Sequence, residues 1–307
     1  MSFTKLSKYT AIFVLVASII CSCDKEPVRF RVLYWNILNG MWDGQGDNYD
    51  RFVAFVREQD PDVCVWCEAQ SNWQTNNHEN LEPEDRYLVE HWGDLAARYG
   101  HEYWGIGGHR DNHPQVITSK YPIIYIDRIV GEEPDSVVRH GAGWATVDIN
   151  GKTVNIVTVH CSPQGGNEYR KMEMEFICGN TIGKDPESKD QYWMMLGDFN
   201  SSSRLDNDYY RKEGDNARSA FLVHDYILEN TPYIDVIKEL YPDKFKPSYW
   251  RRNSRIDFVY CTKPLFDRVT YADFVWDSYT TPLRDWTTKW GVRPSDHLPI
   301  VVDFDMR

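Results

Sequence analysis

The chain has 307 residues, with 34 Lys and Arg against 46 Asp and Glu, for a formal net charge of −12. That balance argues against a protein that coats nucleic acid regardless of sequence, because such binding depends on basic side chains displacing counterions. The length allows one large domain or two small ones.

At the N-terminus, Lys5 and Lys8 precede an apolar stretch from Ala11 to Ile20, and Cys21 and Cys23 follow. Crossing a hydrocarbon core as a helix takes about 20 apolar residues, so a removable signal peptide over 1–22 is expected instead. Ser22-Cys23 resembles the bacterial lipobox, in which cleavage leaves an acylated cysteine. Cys23 is the candidate, Cys21 the fallback, and 23–28 a polar tether. The alternative is an ordinary signal peptide with incidental cysteines. Without Lys5 and Lys8 the chain keeps 32 basic and 46 acidic residues, a net of −14. The expectation is an exported protein, lipid-anchored to a bacterial membrane on its periplasmic or cell-surface face.

In chain order, a strand is predicted over 29–36, then helical spacing at Phe52, Phe55 and Val56, then a strand over 62–68. Helical spacing returns at Leu88, Trp92, Leu95 and Ala96. Strands follow over 102–107, 114–119, 122–130, 142–149 and 153–160, and Asn150-Gly151 makes a tight hairpin between the last two. Met172, Phe176 and Ile177 mark a helix, 192–198 a strand, and Phe221, Leu222 and Ile227 a further helix. The last strands are 255–261, 269–276 and 298–305. Many strands with interspersed helices predict two packed sheets covered by helices on their outer faces. Nothing divides 29–307, so one domain, acting as a monomer, is expected there.

Cys64, Cys67, Cys161, Cys178 and Cys261 remain beyond the processing site, an odd number in a long chain and no disulfide framework. Cys64 and Cys67 have the spacing of a redox or zinc pair. On a strand they point to opposite faces, which favours buried structural thiols.

Five apolar strands each end in a residue fit for catalysis: Asn36 after Leu33-Tyr34-Trp35, Glu68 after Cys64–Cys67, His160 after Val157-Thr158-Val159, Asp198 and Asn200 after Met194–Gly197, and Asp257 after Arg255-Ile256. Asp198 and Asn200, two apart, are expected to face one way with Phe199 in the core. Taken alone, the segment also reads as an Asx-capped turn. Asp296-His297, between Pro294 and Pro299, opens the last strand, and Asp257 is a candidate partner for the His297 imidazole. A carboxylate such as Glu68 after an apolar strand is costly to bury unless it pairs or holds a cation. With no Cys/His cluster at zinc spacing, oxygen donors point to Mg²⁺, Mn²⁺ or Ca²⁺.

Leu33–Asn36, Asp62–Glu68, Thr158–Pro163, Leu196–Ser201, Arg255–Tyr260 and Ser295–Pro299, in that order, resemble the signature of the endonuclease/exonuclease/phosphatase superfamily. The likeness runs from about 29 to 306. It implies a four-layer α/β sandwich, two packed, mixed, mainly antiparallel sheets flanked by helices, and Mg²⁺- or Mn²⁺-dependent hydrolysis of a phosphate ester by water. On this chain it implies Glu68 as principal metal ligand, with Asn36 beside it and Asp296 completing the metal environment. His160 and Asn200 would bind phosphate oxygens. Asp198 would orient or deprotonate water or protonate the leaving group, and Asp257 would hold His297 against the phosphate.

Arg110, in the 107–114 loop, and Trp250 and Arg251, in the basic and aromatic run 249–255, are candidate substrate contacts. A small or lipid-linked extracellular phosphate ester is the first expectation for substrate, and a secreted nuclease the second. Two readings from other classes are a non-catalytic surface-binding lipoprotein and a redox lipoprotein using Cys64 and Cys67. The first expects at least one of Glu68, His160, Asp198, Asn200, Asp257 or His297 to be lost, and all six are present.

Overall fold

Fourteen strands among the described residues of the computed structural model form two six-stranded sheets and a two-stranded ribbon. The structure describes residues 29–44, 48–69, 91–131, 137–212, 221–288 and 291–307; the expected signal peptide, Cys23 and the tether fall outside them, as does Leu88.

The first sheet holds β1 (Arg29–Asn36), β2 (Val63–Cys67), β3 (Tyr103–Gly107), β4 (Gln115–Ser119), β11 (Val269–Phe274) and β14 (Ile300–Asp305) in the order β11-β14-β1-β2-β4-β3. The second holds β5 (Ile123–Ile129), β6 (Ala142–Ile149), β7 (Lys152–His160), β8 (Trp193–Asp198), β9 (Tyr233–Asp235) and β10 (Asp257–Thr262) in the order β5-β6-β7-β8-β10-β9. Only β1/β2 and β7/β8 run parallel; the other pairs in both sheets are antiparallel. Both parallel pairs therefore end on the same kind of rim, with Asn36 opposite Cys67 in one sheet and His160 opposite Asp198 in the other. Asp257 begins β10 opposite Asp198, which adds a third carrier from the same edge.

The inner faces of the sheets pack together through residues such as Phe30, Val65, Ile156, Leu196 and Val302. On the outside, α1 (Asp50–Gln59) and α2 (Trp92–Arg98) cover the first sheet through Phe52, Phe55, Trp92 and Leu95. The second sheet is covered by α3 (Gly166–Asn180) and α4 (Leu222–Asn230), through Met174, Ile177, Val223 and Ile227. This is the four-layer sandwich. Cys64 packs in an outer cluster and Cys67 in the core between the sheets, as strand alternation requires. Burial pushes both thiols well up, which removes the thiolate a redox role needs.

At Asn150-Gly151 both residues have positive φ, 53° and 88°, joining Ile149 to Lys152 in the two-residue hairpin expected. Elsewhere the structure corrects the sequence reading. Met172 is exposed, and α3 instead buries Glu173, Met174, Ile177 and Cys178. A 15-residue helix with so many polar residues on several faces gives no sharp apolar period to read. β9, with three residues, and the ribbon of β12 (Leu283–Arg284) and β13 (Val292–Arg293) are too short to leave a period-2 signal.

Candidate active site

The strand ends meet in a cavity of about 940 Å³ lined by Glu68, His160, Asp198, Asn200, Asp296 and His297 among others. Another cavity of about 840 Å³ lies along Arg31, Lys246, Asp273 and Trp276. Its charges are already paired, Lys246 with Asp273 and Arg31 with Asp303, and it holds none of the candidate residues.

Asn36 ties the two sheets together. Its amide donates to Glu68 Oε1 at 3.2 Å and to Asp198 Oδ2 at 3.1 Å, while its Oδ1 accepts from the Leu38 N–H. The other Glu68 oxygen accepts from the Asn39 N–H at 3.1 Å. Glu68 itself has φ 55°, and Leu38, His113 and Asn200, which also line the cavity, lie in the same left-handed region. Such backbone is unfavourable for non-glycine residues and is held here by the surrounding hydrogen bonds.

Asp198 ends β8, and its Oδ1 accepts the Asn200 N–H at 2.8 Å. The two side chains share the cavity through this Asx turn rather than through an extended backbone, while Phe199 is fully buried. The Asn200 amide donates to Cys161 O at 2.9 Å. Burial first, then the neighbouring Asp257 charge, drives the Asp198 pKa up to about 8, against the opposing effects of His297 and the Asn200 N–H.

His297 Nδ1 lies 2.8 Å from Asp257 Oδ2, and the other oxygen of Asp257 accepts from Tyr34 O–H at 2.7 Å. Burial disfavours the imidazolium, yet Asp257, with Asp198 and Asp296 behind it, outweighs that and raises the His297 pKa to about 10. His297 Nε2 faces Asp198 Oδ2 at 3.8 Å. The backbone is held by Trp35 Nε1 donating to His297 O and by Ser295 Oγ, which accepts the His297 N–H and donates to Asn36 O.

His160 has the opposite character. Burial, with His140 and His113 nearby, holds its pKa well below the usual value, so the ring is neutral. The His140 ring stacks on it at 4.4 Å and 18°, and burial pulls His140 itself down to about 3. His160 Nε2 is 3.9 Å from Glu68 and 4.0 Å from Asp198, while its buried Nδ1 has no hydrogen-bond partner of ordinary geometry.

Ligand-capable atoms of Glu68, His160 and Asp198 lie within 4.8 Å of one another, as do those of Asp198, Asp257 and His297. Among the described residues, no Lys or Arg pairs with Glu68, Asp198 or Asp257. An oxygen-rich set with surplus negative charge, and a carboxyl driven to hold its proton, fits a hard divalent cation.

The loop candidates fall differently. Arg110 is exposed and does not line the cavity; its loop contributes Asn112 and His113. Trp250 lies outside the lining too, with the Arg284 guanidinium 5.6 Å over its ring. Arg251 donates to Asp296 Oδ2 at 2.6 Å, and its neighbours Tyr249 and Arg252 face the cavity. Sequence reasoning missed Tyr34, Asn112, His113, Arg139, His140 and Arg170. Tyr34 carried a signal as part of the Leu33–Asn36 segment, and Asn112 and His113 as members of the 107–114 loop.

The family model described as "Endonuclease/Exonuclease/phosphatase family" matches residues 33–297. No curated protein sequence matches the chain significantly. Among solved structures, an AP endonuclease from Archaeoglobus fulgidus is similar at 16% identity and TM-score 0.59, over 90% of this chain and 100% of that one. The human Nocturnin catalytic domain with bound sulfate is similar at 14% identity and TM-score 0.60, over 91% and 93% of the two chains. A D. rerio TDP2 humanized by 14 mutations is similar at 15% and 0.57, over 91% and 99%. These likenesses are of fold, whereas the family match spans the residues from Leu33 to His297. The chain belongs to the endonuclease/exonuclease/phosphatase family and is a metal-dependent phosphoester hydrolase.

Proposed function

We propose that the enzyme cleaves a small or lipid-linked extracellular phosphate ester, using Mg²⁺ or Mn²⁺ and a water activated at Asp198. The observation that carries this reading is the division of labour around Asp198. A neutral imidazole, His160, lies on one side and a charged one, His297, on the other, with Glu68 tied to the same Asn36 amide. Asp198, with its pKa pushed up to about 8, is poised to exchange a proton with water near neutral pH. His160 and Asn200 would bind the phosphoryl oxygens, and the His297 imidazolium, held by Asp257, would offset charge in the transition state. Glu68, Asn36 and Asp296 would hold the metal, whose contribution is Lewis-acid polarisation of the phosphoryl group. The net acidic charge of the chain supports a small or lipid-linked ester. The AP endonuclease likeness keeps a nuclease as the second reading.

A hydrolysis screen tests this directly. With Mg²⁺ or Mn²⁺, turnover is expected among bis-p-nitrophenyl phosphate, sphingomyelin, inositol phosphates and plasmid DNA. Chelation should abolish it, and Asp198→Ala and His297→Ala should each lower it about 10²–10⁴-fold. No turnover, or variants equal to the parent, rejects the reading, and selective DNA cleavage puts the nuclease first.

The same proposal places the enzyme on a bacterial membrane, acting as a monomer tethered through acylated Cys23 after removal of residues 1–22. Mass spectrometry of membrane fractions should find the acylated N-terminal peptide beginning at Cys23. Finding only unmodified peptide in the soluble fraction would refute the anchor.

A further inference from the structure

The cavity of about 840 Å³ along the first sheet shares none of its lining with the catalytic cavity. Its floor is the outward side of three strands. On β11, Ala272 and Phe274 point into the core between the sheets, so Tyr271 and Asp273 point out; by the same alternation β14 turns out Asp303 and β1 turns out Arg31. Gln59, the last residue of α1, and Lys246 join the lining. Two aromatic side chains stand open there. Tyr271 is 46% and Trp276 55% exposed, and neither ring packs on another among the described residues. Such apolar surface is costly in water until a ligand covers it.

The charges of this groove cancel. Arg31 donates to both oxygens of Asp303, each at 2.6 Å, and Lys246 donates to Asp273 Oδ1 at 2.7 Å. Two acids against two bases leave no net charge to attract a phosphate or another ion. Hydrogen-bonding capacity remains. Asp273 Oδ1 also accepts the Phe274 N–H at 2.8 Å, whereas Asp273 Oδ2, the Gln59 amide and the Tyr271 hydroxyl have no hydrogen-bond partner among the described residues. A ligand matched to this set is uncharged, rich in hydroxyl groups, and presents flat C–H faces to the two rings. Pyranose sugars have that chemistry: their C–H faces pack on aromatic rings, and their hydroxyls both donate to a carboxylate and accept from an amide or ammonium. Tyr271 and Trp276 are separated by at most about 18 Å of chain. That spacing suits a short oligosaccharide better than a single sugar.

We infer that this groove is a carbohydrate-binding site, with Tyr271 and Trp276 as stacking platforms and Gln59, Lys246 and Asp273 as hydroxyl contacts. Its ligand is a neutral oligosaccharide or the exposed stretch of a neutral polysaccharide. The site stands beside the catalytic cavity: Pro247 lines the groove while Tyr249 lines the cavity, so one segment of chain serves both. It does not depend on the phosphoester reaction, and its effect is to hold the protein on a glycan.

Native electrophoresis of the full chain through gels containing glycogen, mannan, xylan, mixed-linkage β-glucan or galactan tests the site. At least one of these neutral polymers should retard the protein, equally at low and high salt, because the groove offers no net charge. Trp276→Ala and Tyr271→Ala should each weaken binding of the trisaccharide unit of that polymer about tenfold or more, read by calorimetry. Both side chains are exposed, so thermal melts and Mg²⁺-dependent hydrolysis of bis-p-nitrophenyl phosphate should match the parent. No retardation by any of these polymers, retardation that survives both substitutions together, or retention by dextran sulfate alone overturns the site. Binding of a polyproline peptide with no polysaccharide retained would also overturn it, and would assign the groove to extended proline-rich chains.

Discussion

At neutral pH an Asp257→Asn variant should lose about 10² to 10⁴-fold in kcat/KM, and its remaining activity should shift toward acid. The carboxylate sits 2.8 Å from His297 Nδ1, and Tyr34 orients it by donating to the other oxygen. An amide in its place can still accept from the ring but supplies no negative charge. In the parent, burial lowers the His297 pKa and Asp257 more than restores it, to about 10. Without that charge burial faces only Asp198 and Asp296, so the pKa must fall. The sign follows from the cationic form being the active one. The parent keeps the imidazolium up to about pH 10, whereas the variant loses it as pH rises through a lower value. A pH–rate profile of both proteins, with the His297 proton followed by NMR, checks this. Profiles of the same shape and similar height would show that the Asp257 charge does not serve the reaction.

Which parts of this site were legible follows from where the information lies. Asn36, Glu68, His160 and Asp198 are each announced by an apolar strand running into a polar residue, and Asp257 by a polar residue that opens one; strand ends are local features of sequence. The two-residue hairpin at Asn150-Gly151 is equally local, because both residues must take positive φ. His113 and His140 carry no such mark. They reach His160 only because β3 and β4 of one sheet and β5 and β6 of the other bring their loops together, so their ring contacts, at 5.9 and 4.4 Å, are products of tertiary structure. The same holds for Tyr34 and Asp257, which bond across 223 residues of chain from facing sheets. In the 249–255 run, composition identified a basic stretch near the site, but a 3₁₀ turn at Trp250–Arg252 decided which side chains face the cavity.

Arg255→Met should cost about 3–5 kcal/mol of unfolding free energy, because it leaves buried acids without their partner. The Arg255 side chain is fully buried over the Phe258 ring at 4.2 Å. It donates to both oxygens of Asp235, at 2.9 and 2.7 Å, and to Asp206 at 2.7 Å. Methionine would fill much of the space and preserve the apolar contact with Phe258. It would leave Asp235 unpaired, and Asp206 with only Lys238 at 3.4 Å. Replacing the acids as well, Asp206→Leu and Asp235→Asn, should recover most of the loss, since a buried ionic cluster as a whole contributes little beyond an apolar one. Asparagine retains the oxygen that caps the helix following Asp235 by accepting the Lys238 N–H at 3.1 Å. Urea unfolding of the single and triple variants distinguishes these effects, and a single variant within about 1 kcal/mol of the parent would show that the cluster does not behave as a buried ion set. Arg255 lies two residues before Asp257, so its pairing also fixes where β10 begins and hence where the His297 partner stands. Metal-dependent turnover in the triple variant should therefore follow the recovery of the fold.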